Sequence, residues 1–357
     1  MCHKHHNFNF LQLNYQQNST NVLIIEINFL FLQCEFYFQY INQKINTMFF
    51  FESIPWYSAL MWCGVVAGLM LINELTRSSK WFSYVVYILV PVILTFAVWP
   101  KTAGPESSVG TWFHWVKVYS ALAGVLGFMY LRHSKKGITY KWLLIFPPLI
   151  LSINILEAVI RDFQVYAMYH GDLFGSVVNG VTMQGGSWNI MNGIAGIINI
   201  ITISGWMGIF IGKDKKKDML WPDQLWWWII AYDLWNFAYV YNCVSDHSFY
   251  AGAALLVSCT IPAFFMGKGA WLQHRAQTLA IWMMFTMCFP VFVDESMFAV
   301  KSSHNPDALW TLSALALAFN IGVLVFHFYK IFKYKRNPLK VEVYIDEPKY
   351  AEIAVKK

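Results

Sequence analysis

Long apolar runs, separated by short polar connections, make up most of the chain from Met48 onward. A helix needs about 20 predominantly apolar residues to cross the hydrocarbon core of a bilayer. Many of the runs have a tryptophan near one end, where its ring prefers the headgroup level. The nine predicted spans are approximately 54–75, 81–99, 112–132, 141–160, 188–211, 222–243, 249–267, 271–293 and 308–332. The pattern predicts an all-α fold, a polytopic transmembrane helical bundle with about nine spanning helices in one domain, 48–335.

The positions of lysine and arginine predict how this bundle is oriented. After Met48 these residues fall almost entirely in alternate connections and near the C-terminus. Lys101, Arg161 and Lys301 are the exceptions in the other connections, and Lys117 lies within a predicted span. Connections rich in lysine and arginine remain on the cytoplasmic side. The N-terminus is therefore predicted to be outside and the C-terminus cytoplasmic.

Three connecting segments carry further predictions. Arg275, just inside the start of the predicted span 271–293, is counted with Lys268 as part of the inner connection before that span. The segment 336–357 is short and charged, so it is predicted to be a disordered cytoplasmic tail. The outer segment 161–188 is rich in glycine and is compatible with a lid, a re-entrant loop or a plain surface loop.

The first 47 residues differ in composition from the rest of the chain. They contain no glycine, alanine, proline or tryptophan and are rich in asparagine, glutamine, isoleucine and phenylalanine. They also lack the pattern of a signal peptide. We interpret 1–47 as a non-native upstream extension, disordered or loosely attached, with the true start at Met48.

Composition excludes several functional classes. Charged residues form 13% of the chain and hydrophobic residues 57%, whereas soluble domains carry roughly 25% charged residues. The net charge of +6 resides in short clusters that act as topology signals, so the lipid bilayer is the predicted partner and no nucleic acid is expected. Phosphate-loop, HExxH and paired-cysteine motifs are absent from the sequence, so no cofactor, metal site or disulfide framework is predicted.

Polar side chains inside the predicted spans are the candidates for function. They are expensive in lipid and usually face the bundle interior. On the third to sixth helices they recur at helical spacing, mostly in the outer half of the predicted bilayer, which suggests a polar cavity reachable from outside. The candidate cavity residues are His114, Lys117, Asn154, Glu157, Arg161, Asn189, Asn192, Asp233 and Asn236.

A structural explanation stands beside each of these candidates. The cations Lys117 and Arg161 could pair with the carboxylates Glu157 and Asp233 within the cavity. Alternatively, Glu157 and Arg161 are four residues apart and could simply neutralise each other. Lys117 is near enough to the interface to snorkel. The asparagines of the fifth helix could simply join helices. Asp233 is the hardest to explain structurally because it is predicted near the midplane, far from either interface.

Four stretches carry a resemblance to a known family: TWFHWVKVYSALAGVLGF (111–128), FPPLILSINILEAVIRDFQ (146–164), NGIAGIINIITISGW (192–206) and YDLWNFAYVYNCVSDHSFY (232–250). They resemble a bacterial family of uncharacterised multi-pass membrane proteins over about 48–335. The resemblance implies a start at Met48 and a location in the bacterial plasma (inner) membrane. It implies no activity, ligand or catalytic residue.

Three functional hypotheses remain open. The leading one is a transporter of a small polar or charged solute, with proton coupling as an option, because many helices carry buried ionisable groups. The second is a membrane-embedded enzyme acting on a lipid-linked substrate from the outer face, with His114 or His247 as acid or base. The third is a membrane sensor or assembly scaffold. A cavity would favour the first, and a histidine bonded to a carboxylate near the outer surface would favour the second.

Overall fold

The computed structural model of the protein describes residues 49–134, 139–172 and 175–357. Helices make up most of these ranges, as predicted, while the interpretation of 1–47 concerns residues outside them. The long helices are α1 (Trp56–Ser78), α2 (Lys80–Thr102), α3 (Trp112–His133), α4 (Phe146–Tyr169), α5 (Ser187–Ile201), α6 (Trp226–Cys243), α7 (Leu255–Phe265), α8 (Trp271–Cys288) and α10 (Pro306–Tyr334). The short helices are α9 (Val291–Asp294) and α11 (Pro348–Ala354).

Irregular turns and two small hairpins complete the secondary structure. Helix α2 contains two π turns, one on either side of Pro91, whose missing N–H interrupts the regular helical ladder. The remaining turns are 3-10 segments Lys141–Ile145, Trp206–Gly208 and Ser245–His247 and the π segment Ser248–Ala254. The antiparallel hairpins pair β1 (Ser176–Val178) with β2 (Val181–Met183), and β3 (Phe210–Ile211) with β4 (Met219–Leu220).

Five helices are long and apolar enough to cross a membrane: α1, α2, α4 with its preceding 3-10 turn, α7 with its preceding turns, and α10. Their outward faces are apolar. On α2, for example, Trp81 is 77% exposed and Phe96 is 81% exposed. Exposed apolar surface on this scale suits lipid and not water. The chain is therefore a membrane protein, whereas the crossing of all nine predicted helices and the orientation of the termini stay predictions.

The other four long helices, α3, α5, α6 and α8, are more polar or shorter and contribute much of the interior. Helix α5 has 15 residues and so spans only about 22 Å. The predicted fifth span, 188–211, is therefore too long. The chain leaves the helix after Ile201 and turns at Gly205, which has a φ of +67°. Ser204 fixes this turn by donating a hydrogen bond to Asp223 at 2.7 Å.

Helix α6 forms an aromatic spine within the bundle. Its sequence places aromatic residues three or four positions apart, so their rings lie on one face. Tyr232 contacts Trp228 at 5.6 Å and Trp235 at 5.3 Å between ring centroids, and Trp235 stacks on Tyr239 at 6.2 Å. All four residues are buried. Packed aromatic rings contribute a large apolar area and defined geometry, so α6 is a rigid support for any side chain it carries.

Alternate connections meet at two opposite ends of the bundle. At one end Arg77, at the end of α1, pairs with Asp218, and Arg132, at the end of α3, donates to the Lys217 carbonyl at 3.0 Å. We call this the tail end. At the other, which we call the loop end, Ser108 donates to Asp294 at 2.7 Å. Antiparallel helices joined by short connections produce this arrangement.

The C-terminal segment folds onto the tail end, so the prediction of a disordered tail is wrong. Val343, Tyr344, Tyr350 and Ile353 are buried in a small apolar cluster that also includes side chains of the β3–β4 hairpin. The backbone N–H groups of Val343 and Tyr344 donate to the carboxylate of Asp223 at 3.0 and 2.8 Å. Charge alone suggested disorder, but the apolar side chains between the charges supply enough burial for folding.

Gly196 lies where α5 packs closely between α4 and α6. A Cβ atom at this position would lie 2.5 Å from Val159 Cγ2 and 2.7 Å from Trp235 Nε1. We expect Gly196→Ala to lower the free energy of unfolding by about 1–3 kcal/mol, because the neighbours must move. The measurement is equilibrium denaturation in detergent, followed by tryptophan fluorescence.

Gly64→Ala, in α1, is the matched control, since nothing lies within 4 Å of its added methyl group. Equal stability of the two variants would contradict the close packing of α5 described here.

Candidate functional site

A cavity lies inside the bundle between α3, α4, α6, α8 and the segment that leads into α7. The space open to the centre of a water molecule is about 60 Å³. Both polar and apolar side chains form its wall. The polar and charged lining residues are His114, Lys117, Asn154, Tyr232, Asn236, Tyr239, His247, Arg275 and Thr286. The sequence suggested a cavity enclosed by the third to sixth helices. In the structure, α8 and the segment that leads into α7 line the cavity in place of α5.

Helical periodicity explains how one cavity gathers these side chains. On α6, Tyr232, Asn236 and Tyr239 are spaced by four and three residues and so share a face. His114 and Lys117 do the same on α3. The aromatic spine of α6 holds the first of these faces in place, so the polar groups are positioned by well-packed elements.

Lys117 and Glu157 form a buried ion pair beside the cavity. The Lys117 Nζ atom lies 2.7 Å from Glu157 Oε2, and both residues are less than a tenth exposed. Lys117 also donates to the Asn154 backbone carbonyl at 2.8 Å, and Ser120 donates to Glu157 at 3.2 Å. Snorkelling therefore does not describe Lys117. The pair links α3 to α4 and places its positive member in the cavity wall.

Arg275 is the second cation of the cavity wall, and sequence reasoning placed it wrongly in an inner connection. It is the fifth residue of α8 and is 5% exposed. Its Nη2 donates to Asn236 Oδ1 at 3.0 Å, and its Nε points to the Tyr232 hydroxyl at 3.5 Å. Its Nη1 is buried and has no hydrogen-bond partner within the described ranges.

Two histidines lie at the loop end of the cavity. His114 Nδ1 is 2.8 Å from the Thr111 hydroxyl, and His247 Nε2 is 2.7 Å from Asp294 Oδ1. The two imidazole rings are 6.3 Å apart. Asp294 lies outside the long helices. Burial acts to raise its pKa, but the hydrogen bonds with His247 and Ser108 and the charges of His247 and Lys301 together leave the pKa below its ordinary value.

Arg161 and Asp233, two further candidates, lie outside the cavity lining. Arg161 donates to Gln164 at 2.8 Å and does not pair with Glu157. It lines a much smaller crevice beneath the β1–β2 hairpin. Asp233 accepts a hydrogen bond from Thr260 of α7 at 2.7 Å. This hydrogen bond joins α6 to α7 and gives Asp233 a structural explanation.

Asn189 and Asn192 join helices through a carboxylate that sequence reasoning missed. They donate to Asp162 at 3.1 and 2.8 Å, and Cys243 donates to the same carboxylate at 3.3 Å. Asp162 is 0% exposed. The cluster therefore links α4, α5 and the end of α6. Asp162 was predicted to lie in the outer segment 161–188, whereas the structure places it within α4.

Of the predicted cavity residues, the structure brings His114, Lys117, Asn154 and Asn236 together at the cavity wall. Glu157 lies behind Lys117. Four predicted residues face other parts of the bundle: Arg161, Asn189, Asn192 and Asp233. Arg275, the main omission, had a detectable signal: QHRAQ at 273–277 places four polar residues inside an otherwise apolar helix. Within the described part of the chain, no group of three or more His, Cys, Asp and Glu residues could hold a metal ion.

Comparisons with known proteins identify the family of the chain. No curated protein and no solved structure matches it. The model of one family, a family of unknown function designated DUF5692, matches residues 52–356. The matched range includes every helix of the cavity and also the folded C-terminal segment. The chain therefore belongs to the family of unknown function DUF5692.

Proposed function

We propose that this protein transports a small polar or charged solute across a membrane and binds it in the cavity between α3, α4, α6 and α8. The observation that carries the proposal is the cavity itself, with Lys117, Arg275 and Asn236 in its wall. Buried ionisable residues in membrane proteins usually mark a ligand or ion pathway.

The size of the cavity supports a small solute. A buried water needs about 10–15 Å³ on this measure, so a space of about 60 Å³ has room for roughly five water molecules. A solute of about that many non-hydrogen atoms fits without rearrangement of the bundle. Larger solutes, such as sugars or lipid headgroups, would require the helices to separate.

The same proposal includes the topology. We place all nine long helices in a bacterial plasma membrane, with α5 covering about 22 Å of its thickness, the tail end in the cytoplasm and the loop end outside. The clustering of Lys and Arg near the tail end supports this orientation. Proton coupling has less support, because Glu157 is paired with Lys117 and Asp233 bonds Thr260.

The second candidate function is a membrane-embedded enzyme acting on a lipid-linked substrate at the outer face. The hydrogen bond between His247 and Asp294 favours it, since a carboxylate that orients a histidine is a common general-base arrangement. His247 also lines the cavity. An enzyme would lose turnover on His247→Ala, whereas a transporter would lose solute flux when a larger side chain fills the cavity. A sensor or scaffold would tolerate both His247→Ala and a filled cavity.

A flux assay tests the transport proposal. Purified protein is reconstituted in liposomes, and entry of propionate, propionamide, methylammonium and glycine is followed by stopped-flow light scattering. We expect at least one solute to enter faster than into protein-free liposomes. Leu279→Phe should reduce that flux at least tenfold, because Leu279 lines the cavity and the larger ring occupies it.

Leu315→Phe is the matched control, since Leu315 is 53% exposed on the outer face of α10, and its flux should equal that of the wild type. Equal flux through both variants, or no flux above protein-free liposomes for any of the four solutes, would contradict the proposal.

A further inference from the structure

The charges around the cavity do not balance. Lys117 is neutralised by Glu157 at 2.7 Å. Arg275 has no such partner: in the described ranges, no carboxylate oxygen lies within 4.0 Å of its guanidinium nitrogens. Asp233 acts on Arg275 only from beyond that distance and bonds Thr260. Because guanidinium stays charged in proteins, the cavity wall carries one positive charge without an ion-pair partner in the described ranges.

One nitrogen of the Arg275 guanidinium also lacks a hydrogen-bond acceptor among the described residues. Nη2 bonds the Asn236 side chain, which supplies a neutral oxygen and no charge. Nη1 is buried without a partner among the described residues, and so is the hydroxyl of Tyr239, another residue of the cavity wall. A buried cation left unpaired is strongly destabilising. A small anion in the cavity beside Arg275 would supply the missing charge.

The rest of the wall indicates which kind of anion fits. Apolar side chains, including Leu255, Leu279 and Met283, line the cavity beside Arg275. These side chains suit a short hydrocarbon chain, whereas a phosphate or sulfate would place charged oxygens against them. Arginine binds a planar carboxylate through parallel N–H donors.

We infer that the cavity binds a short-chain monocarboxylate, with its carboxylate on Arg275 and its hydrocarbon chain against the apolar wall. This inference rests on the proposed function and names the class of solute. It assigns Arg275 as the residue that selects an anion over a cation or a neutral molecule, and Asn236 as the residue that holds the guanidinium in place.

The test is a binding titration of the full chain in lipid nanodiscs by saturation-transfer NMR. The probe is propionate, and its neutral isostere propionamide and the cation methylammonium are the comparisons. We expect propionate to bind at least tenfold more tightly than either. Arg275→Gln should weaken propionate binding at least tenfold, and Arg275→Lys should weaken it less, since the charge remains but the planar donor pair is lost.

Asn236→Asp is the second variant and does not depend on Arg275→Gln folding. It places a carboxylate of nearly the same shape 3.0 Å from Nη2, so it neutralises Arg275 within the protein. It should fold and lose propionate binding at least tenfold. Propionamide or methylammonium binding as well as propionate, no propionate binding to the wild type, or unchanged binding in Asn236→Asp would overturn the inference.

The two proposals fail in different ways. Propionate binding without flux into liposomes would leave the anion site standing and reject transport. Flux of methylammonium, but not of propionate, that does not respond to Arg275→Gln would leave transport standing and reject the anion site.

Discussion

Replacing Asp218 by asparagine is expected to lower the free energy of unfolding by about 3–5 kcal/mol at neutral pH, because among the described residues it leaves the buried Arg132 without a carboxylate and leaves Arg77 with Glu74 alone. The Asp218 carboxylate accepts hydrogen bonds from Arg77 Nε at 3.1 Å and from Arg77 Nη2 at 2.6 Å. Arg132 lies 3.9 Å away. Both arginines are about 5% exposed or less. Without the negative charge, two buried guanidinium groups would repel each other at the tail end.

Asp214→Asn is the matched control, since Asp214 belongs to the same hairpin connection but is exposed and bonds mainly a backbone N–H. Equilibrium denaturation in detergent, followed by tryptophan fluorescence, gives both free energies. A loss of less than 1 kcal/mol in Asp218→Asn would show that the ion pairs at the tail end contribute little.

The same interaction should be visible in the pH dependence of the wild type. Burial acts to raise the pKa of Asp218, but the hydrogen bonds and charge of Arg77 outweigh burial and lower it from 3.8 to about 2. A lowered pKa in the folded state means that the stabilisation is complete above about pH 4 and is lost as the pH falls toward 2. The difference in stability between wild type and Asp218→Asn should narrow over that range and stay constant above it.

Replacing only one member of the Lys117–Glu157 ion pair is expected to lower the free energy of unfolding by about 3 kcal/mol or more, because the charge of the other member stays buried. Glu157→Gln leaves Lys117 uncompensated, and Lys117→Met leaves Glu157 uncompensated. The double variant should recover at least half of the loss, since neutral groups of similar shape replace both charges. The same denaturation measurement on all four proteins completes the cycle.

Additive losses in this double variant would mean that the 2.7 Å contact carries no coupling, and that each residue acts through other neighbours. A double variant that is stable but transports no solute would separate the structural contribution of the pair from its contribution to the cavity wall.

Much of the helical architecture could be predicted because hydropathy acts over long windows. Each apolar run corresponds to a helix, since every backbone group must be satisfied inside the helix when lipid surrounds it. The end of α5 could not be read in the same way. Ile203, Trp206 and Ile209 are as apolar as a helix interior, and only the turn at Gly205, held against Asp223, diverts the chain.

The candidate site could be predicted only in part, because pairing depends on which helices touch. The sequence offered two cations for Glu157, Arg161 on the same helix and Lys117 on another, and only the packing of α3 against α4 selects Lys117. Arg275 was not predicted as a cavity residue, for a related reason. Near a predicted helix end, an arginine looks like a topology signal, and nothing in a single sequence shows that it points inward.

The packing of the C-terminal segment has a consequence for biosynthesis. Asp223 precedes its partner Val343 by 120 residues, so the ribosome releases its carboxylate long before the two N–H groups that it will bind. Phe210 and Leu220 are likewise synthesised more than 100 residues before Tyr344 and Ile353, which cover them in the folded protein. Until α10 has entered the membrane, this face is open to water and to proteases and chaperones. Closure of the C-terminal segment therefore marks a chain whose membrane insertion is finished, and a chain that stalls earlier exposes an apolar surface by which it can be recognised and removed.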